Sequence, residues 1–257
     1  MTKTLFAGAL LALALPVQAQ IGIATPAFTY AQSFDSLTTS ITAVPWTQNV
    51  TLPGWSLFTT ALAAVTTYRA GDGTSNTGAA YSFGSTSSTE QERALGGLGS
   101  SGFTGFIALA FTNQTALTLN SFTLGFDGEQ WRNGGNTTAQ TMVLEYGIGA
   151  SFGTVAGWTA PGGSFNFTGP IATATAAAVD GNVAGLVTNL GGTITTGWAP
   201  GDTLWLRWIE QNDPGNDHAL AIDNLSFSVT AVPEPGTYAL LLAGLGVVGF
   251  LARRRRV

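Results

Sequence analysis

Apolar and polar residues alternate with a period of two along much of this chain, and helical periodicity is nearly absent between residues 21 and 231. In Phe106–Phe111, Ile107, Leu109 and Phe111 fall on one face. Phe122, Leu124 and Phe126 repeat the pattern with small polar residues between them, and Met142–Tyr146 and Thr203–Ile209 continue it. The run Ala219–Val229 slips: Leu220 and Ile222 share one phase, and Leu225, Phe227 and Val229 share the other. One inserted residue shifts a strand's phase in this way, so a β-bulge is expected near Asp223–Asn224. Gly, Asn, Asp and Thr punctuate the runs, giving about ten to twelve strands at the spacing of a sandwich or barrel. The segment 170–190, with its alanines and Asp180-Gly181-Asn182, is read as one short helix or a loop. No linker or repeat divides the body. The expectation is an all-β fold, a jelly-roll-like β-sandwich domain over residues 20–231.

The two flanks read as addresses. Residues 1–19 have the form of a signal peptide: Lys3, an apolar run from Leu5 to Leu15 too short to span a membrane, then Val17-Gln18-Ala19 with small residues at the cleavage positions. Residues 232–257 hold Pro233, Glu234 and Pro235, an uncharged stretch 237–252, and the arginines Arg253, Arg254, Arg255 and Arg256. As a helix, that stretch spans roughly 24 Å, a marginal membrane crossing. The prolines place its start after the triplet. The arginines act as a membrane stop that stays cytoplasmic, with the body on the opposite side.

Composition removes several kinds of chemistry. With no cysteine there is no disulfide, no thiolate metal site and no thiol nucleophile, and a single histidine excludes multi-histidine metal sites. Residues 21–231 hold 13 Asp and Glu against 4 Arg, a balance of −9, which repels phosphate backbones, so no nucleic-acid partner is expected. Gly97-x-Gly99-x-x-Gly102 and Gly244-x-Gly246-x-x-Gly249 match a dinucleotide fingerprint in spacing only. The first leads into a strand and the second lies in the apolar tail, so neither has the strand–turn–helix context.

The tail, with its Pro-Glu-Pro triplet, short apolar helix and arginine cluster in that order, resembles the PEP-CTERM sorting signal of Gram-negative bacteria. The resemblance implies processing by an exosortase, a membrane-embedded transpeptidase-like protease. It implies export across the inner membrane, transient anchoring by the tail helix, and then the cell surface or the exopolysaccharide matrix. Pro233, Glu234 and Pro235 would be another enzyme's substrate. A plain membrane anchor gives the same orientation without cleavage.

Three candidate sites remain in the body. Gly128–Asn136 carries Glu129, Trp131 and Arg132. An aromatic face beside polar side chains suits sugar binding, and the alternative is a structural Glu129–Arg132 pair with Trp131 plugging the sandwich. The turn Gln211–His218 crowds acidic and amide oxygens, as a calcium site or as an Asx-rich turn, and places His218 beside Asp217. Ser33-Phe34-Asp35 and Ala221–Leu225 resemble the terminal strands of carbohydrate-binding and MAM-type jelly rolls. That resemblance implies Asp35 and Asp223 as ligands of a structural Ca²⁺, against the alternative that both cap strand ends. No other cofactor is expected. A glycosidase pair of Glu129 with Asp217 or Glu210 is conceivable on paper. With a lone histidine and no G-x-S-x-G elbow, the chain is read as not an enzyme. The expected function is an exported, non-catalytic surface or matrix protein. It binds carbohydrate through Glu129, Trp131, Arg132 and His218, or is purely structural or adhesive. A polysaccharide hydrolase ranks below both.

Overall fold

The computed structural model describes residues 20–85, 92–100, 103–230, 242–245 and 253–254. Its strands are β1 (Ile21–Ile23), β2 (Ala27–Gln32), β3 (Val44–Pro45), β4 (Trp55–Thr59), β5 (Thr67–Gly71), β6 (Ala79–Phe83), β7 (Ala94–Leu98), β8 (Gly105–Asn113), β9 (Leu119–Asn133), β10 (Thr141–Ile148), β11 (Phe167–Thr168), β12 (Ala177–Ala178), β13 (Leu186–Trp198), β14 (Thr203–Glu210) and β15 (Ala219–Thr230). They form two sheets. The smaller runs β1-β8-β14-β10-β11, with β4 also on β8. The larger runs β12-β9-β15-β7-β6-β5-β3, with β13 also on β9 and β2 also on β15. The fold is therefore the expected all-β sandwich.

The core lies between the sheets and is built by the in-phase residues of the alternating runs. Ile107, Leu109 and Phe111 from β8 meet Phe122, Leu124 and Phe126 from β9 and Phe227 from β15, all nearly or fully buried. The Phe111 and Phe227 rings stack at 3.8 Å between centroids, and Trp55 stacks on Trp208 at 5.8 Å. Burying a large aromatic side chain contributes about 1.5–3 kcal/mol, so this layer is the main favourable term of the fold.

Strand β15 carries the phase slip. Asp223 pairs with Asp127 and Ser226 with Gly125, a register shift with Asn224 at φ 49°. Leu220 and Ile222 before it, and Leu225, Phe227 and Val229 after it, all face the core. The bulge also divides the strand's partners: Ala219–Ile222 pair with β7 and Leu225–Thr230 with β2. Within 170–190 there is no helix, only β12, a turn at 181–185 and the start of β13.

The signal-peptide segment 1–19 and the triplet Pro233, Glu234 and Pro235 lie outside the described residues. Of 237–252 only 242–245 are described, and they are helical. Arg253 and Arg254 are also helical, whereas Arg255 and Arg256 lie outside. Among the described residues, no helix is long and apolar enough to cross a membrane.

Candidate functional site

The outer face of the larger sheet, away from the core, carries most of the charged candidates. Register sets this. Across the β9–β15 ladder Glu129 pairs with Ala221 and Asp127 with Asp223, so these side chains share a face. Ala94 and Leu98 of β7 and Tyr81 and Phe83 of β6 pack on the same face with Trp131, Ala219 and Ala221 as a small second cluster. Glu92, two residues before Ala94, continues that phase.

Glu129 and Trp131 lie within β9. Trp131 is 4% exposed, stacks on Phe83 at 6.0 Å, and donates its indole N–H to Glu129 Oε2 at 2.8 Å. A ring enclosed in this way offers no face for a sugar to stack on. It fills the small cluster on the outer face of the larger sheet, not the end of the sandwich. Arg132 does not pair with Glu129. Its Nη1 donates to the carbonyls of Gly73 at 2.9 Å and Thr74 at 3.2 Å, fastening the loop after β5. His218 is 1% exposed, and its Nδ1 accepts the Gly134 N–H at 3.0 Å. Burial lowers its pKa against the pull of the Thr138 carbonyl, which favours the neutral ring. The structure thus gathers Glu129, Trp131 and Asp223 but turns Arg132 and His218 to structural bonds.

Glu92, Glu129 and Asp223 each offer one carboxylate oxygen, and these oxygens lie within 4.8 Å of one another. Glu129 is 1% and Asp223 3% exposed. Burial, followed by the charge of Glu92, pushes Glu129 up to about 8. Burial, with the charges of Glu92, Asp35 and Asp127, pushes Asp223 up to about 7. Burial also raises Glu92, against the hydrogen bond its Oε2 accepts from Asn182 Nδ2 at 2.6 Å. Asp35 stands beside the group but outside it. It is exposed, and its oxygens accept the Arg93 N–H at 3.2 Å and the Ser33 hydroxyl at 2.8 Å. Of the two metal ligands expected from sequence, Asp223 is in the cluster and Asp35 is not. Glu92 was missed because its contact depends on three strands lining up; its phase with Ala94 was the available signal.

The turn Gln211–His218 is held by amides. Asn136 Nδ2 donates to the Pro214 and Asn216 carbonyls at 3.0 and 3.2 Å, and Asp217 Oδ1 accepts the Asp213 N–H at 2.7 Å. This is the Asx-rich arrangement, and the acids of the turn form no metal-sized group among the described residues. Burial, then the charge of Asp217, raises Glu210 well above the usual carboxylate range. Burial pushes Asp217 up to about 6.

The outer face of the smaller sheet carries a set of aromatics that the sequence reading did not single out. Phe58, Phe106, Phe152 and Trp205 pack together there, with Phe58 and Phe152 stacked at 4.3 Å. The Arg207 guanidinium lies 4.4 Å from the Phe106 ring centroid and 3.9 Å from that of the half-buried Trp158. Its Nε donates to Glu145 Oε2 at 2.7 Å across the β10–β14 ladder. Next to this cluster is a cavity of about 490 Å³ lined by Gln20, Phe58, Ser151, Phe152 and Trp205, among others. Arg207 inside a strongly alternating strand was the sequence signal. Its aromatic neighbours come from β8 and the loop after β10, which local pattern does not connect.

Residues 231–256 match the family model of the PEP-CTERM protein-sorting motif. No curated protein matches the chain. The match agrees with the sequence reading of the tail in position and in kind, and implies exosortase processing at the membrane.

Proposed function

We propose that this chain, a PEP-CTERM protein, is a non-catalytic β-sandwich displayed at the cell surface or in the extracellular polysaccharide matrix after its tail has been processed. The carrying observation is the sorting motif at 231–256 joined to a disulfide-free sandwich. The non-catalytic reading is supported by the buried His218 and Glu129 being engaged in bonds within the protein, His218 with the Gly134 N–H and Glu129 with the Trp131 indole.

The test is fractionation of cells expressing the full chain with an epitope inserted in an exposed body loop. The expected result is a shortened form at the surface or in the matrix. Replacing Pro233, Glu234 and Pro235 by alanine leaves a longer form in the membrane fraction. Full-length protein with both flanks intact in the cytosol overturns the reading.

Contact with polysaccharide is the finer reading, and the aromatic face of the smaller sheet favours it. Trp158 and Phe58 are half-buried, and the Arg207–Glu145 pair supplies hydroxyl-binding groups beside them. Retention on immobilised matrix polysaccharide, lost in Trp158→Ala, supports it. A wild-type chain that is not retained leaves the purely structural or adhesive role.

A further inference from the structure

The outer face of the larger sheet holds three carboxylates from three separate places in the chain, and the protein supplies them with too few partners. Asp223 is 3% exposed, and its Oδ1 has no hydrogen-bond partner. Glu92 Oε1 is likewise buried without one. Among the described residues the one ion pair joins Arg207 to Glu145 on the other sheet, so no cation sits within 4 Å of the three acids. Arg93 is fully buried nearby; its Nη2 donates to the Ser85 carbonyl at 2.6 Å, and its Nε and Nη1 have no partner. Its charge draws the Glu92 pKa down, against the larger effect of burial, without pairing with any of the three acids. Asp127, directly across from Asp223, shows the contrast: it accepts the Asn189 N–H at 3.0 Å and the Asn224 amide at 3.1 Å. An unpaired buried carboxylate oxygen is costly, and three within 4.8 Å repel one another when ionised, which either protons or a bound cation relieves.

We propose that Glu92, Glu129 and Asp223 bind one calcium ion between the outer face of the larger sheet and the loop that covers it. The donors are all oxygen, which selects a hard cation and excludes the thiophilic metals. The ligands come from β9, β15 and the lead-in to β7, so the ion joins the two sides of β15 where the bulge breaks its pairing. Asn182, on the covering loop, holds Glu92 Oε2. A cavity of about 530 Å³ lies beside the group: Trp131 and Asn182, which bond Glu129 and Glu92, line it together with Asp72 and Asp180. The remaining coordination positions are left to water, as is usual for calcium. This inference is independent of how the tail is processed.

The full chain in mild detergent is stripped with a chelator and titrated calorimetrically with Ca²⁺, with Mg²⁺ in a parallel arm. One site is expected. At a hundredfold excess over Kd, the melting temperature rises by about 5–10 °C. Terbium in place of calcium is expected to luminesce on indole excitation, because Trp131 touches the ligand Glu129, and Ca²⁺ then quenches the signal by competition. Glu129→Gln and Asp223→Asn each lose at least tenfold in affinity together with the thermal shift. Glu210→Gln, an equally buried acid outside the group, keeps both. A wild-type chain with neither thermal shift nor sensitised emission overturns the proposal. A calcium response retained in both ligand variants also does so, as does an equal response to Mg²⁺. If a variant fails to fold, the wild-type terbium signal and its competition by calcium decide.

Discussion

The Trp131 indole donates to Glu129 Oε2 at 2.8 Å, and both side chains are buried on the outer face of the larger sheet. The ring is therefore part of the protein's interior, and its removal is felt in stability. Trp131→Ala should cost about 3–5 kcal/mol, the usual range for a buried Trp. Trp131→Phe should cost less, about 1–3 kcal/mol, chiefly for the carboxylate left without its donor. Denaturant unfolding of the full chain measures both. Loss of sugar retention at unchanged stability would contradict this placement.

Gly181 tests the same packing from the covering loop. A Cβ there would run into the Trp131 indole. Gly181→Ala should displace ring or loop and cost about 1–3 kcal/mol. A shifted, weakened tryptophan fluorescence should accompany the loss. An unchanged melting temperature would mean that the loop does not press on the ring.

Asn224 sits at the bulge with φ 49°, where most side chains are strained, and its amide donates to Asp127 at 3.1 Å. Asn224→Gly keeps the backbone and loses only that exposed bond, so it should cost less than about 1 kcal/mol. Asn224→Val should cost about 2 kcal/mol or more, because a β-branched residue resists this conformation. Equal costs would show that the bulge is not backbone-determined.

The raised carboxyls make stability depend on pH with a definite sign. Burial holds Glu210 well above the usual range and Asp217 at about 6. The folded protein therefore binds these protons more tightly than the unfolded chain does. Their contribution is complete below the unfolded values near 4, and it is lost as pH rises through the folded ones. Without calcium, Glu129 at about 8 and Asp223 at about 7 act in the same direction. The melting temperature in chelator should fall steadily from pH 5 to pH 8. Glu210→Gln should flatten part of that slope, and a rise over the interval would contradict the assignment.

Strand after strand was legible where one face is core and the other is polar, as in β8, β10 and β14, because period-two alternation follows from one-sided burial. The β15 bulge was legible for the same reason, since an inserted residue changes which side chains turn inward. Strand β9 was read only as far as Phe126 and continues to Asn133. Gly125 and Gly128 interrupt its pattern, and Trp131 on its outer face is covered by a distant loop. That covering also explains the site residues. Local sequence placed Trp131, Glu129 and Asp223 among interesting neighbours but could not show that residues 178–185 close over them. It brought in Asp35 by resemblance and missed Glu92, because which acids meet is settled by the alignment of β7, β9 and β15.

The pairing of Thr230 with Ala27 has a mechanical meaning for a molecule hung by its tail. Tension applied beyond residue 230 runs along β15, which is gripped by β2 on one side and β9 on the other. Its rungs are then loaded together in shear, not unzipped one by one. Such a junction resists pulling far better than a peeled edge, and severing the tether relieves it without exposing a loose strand.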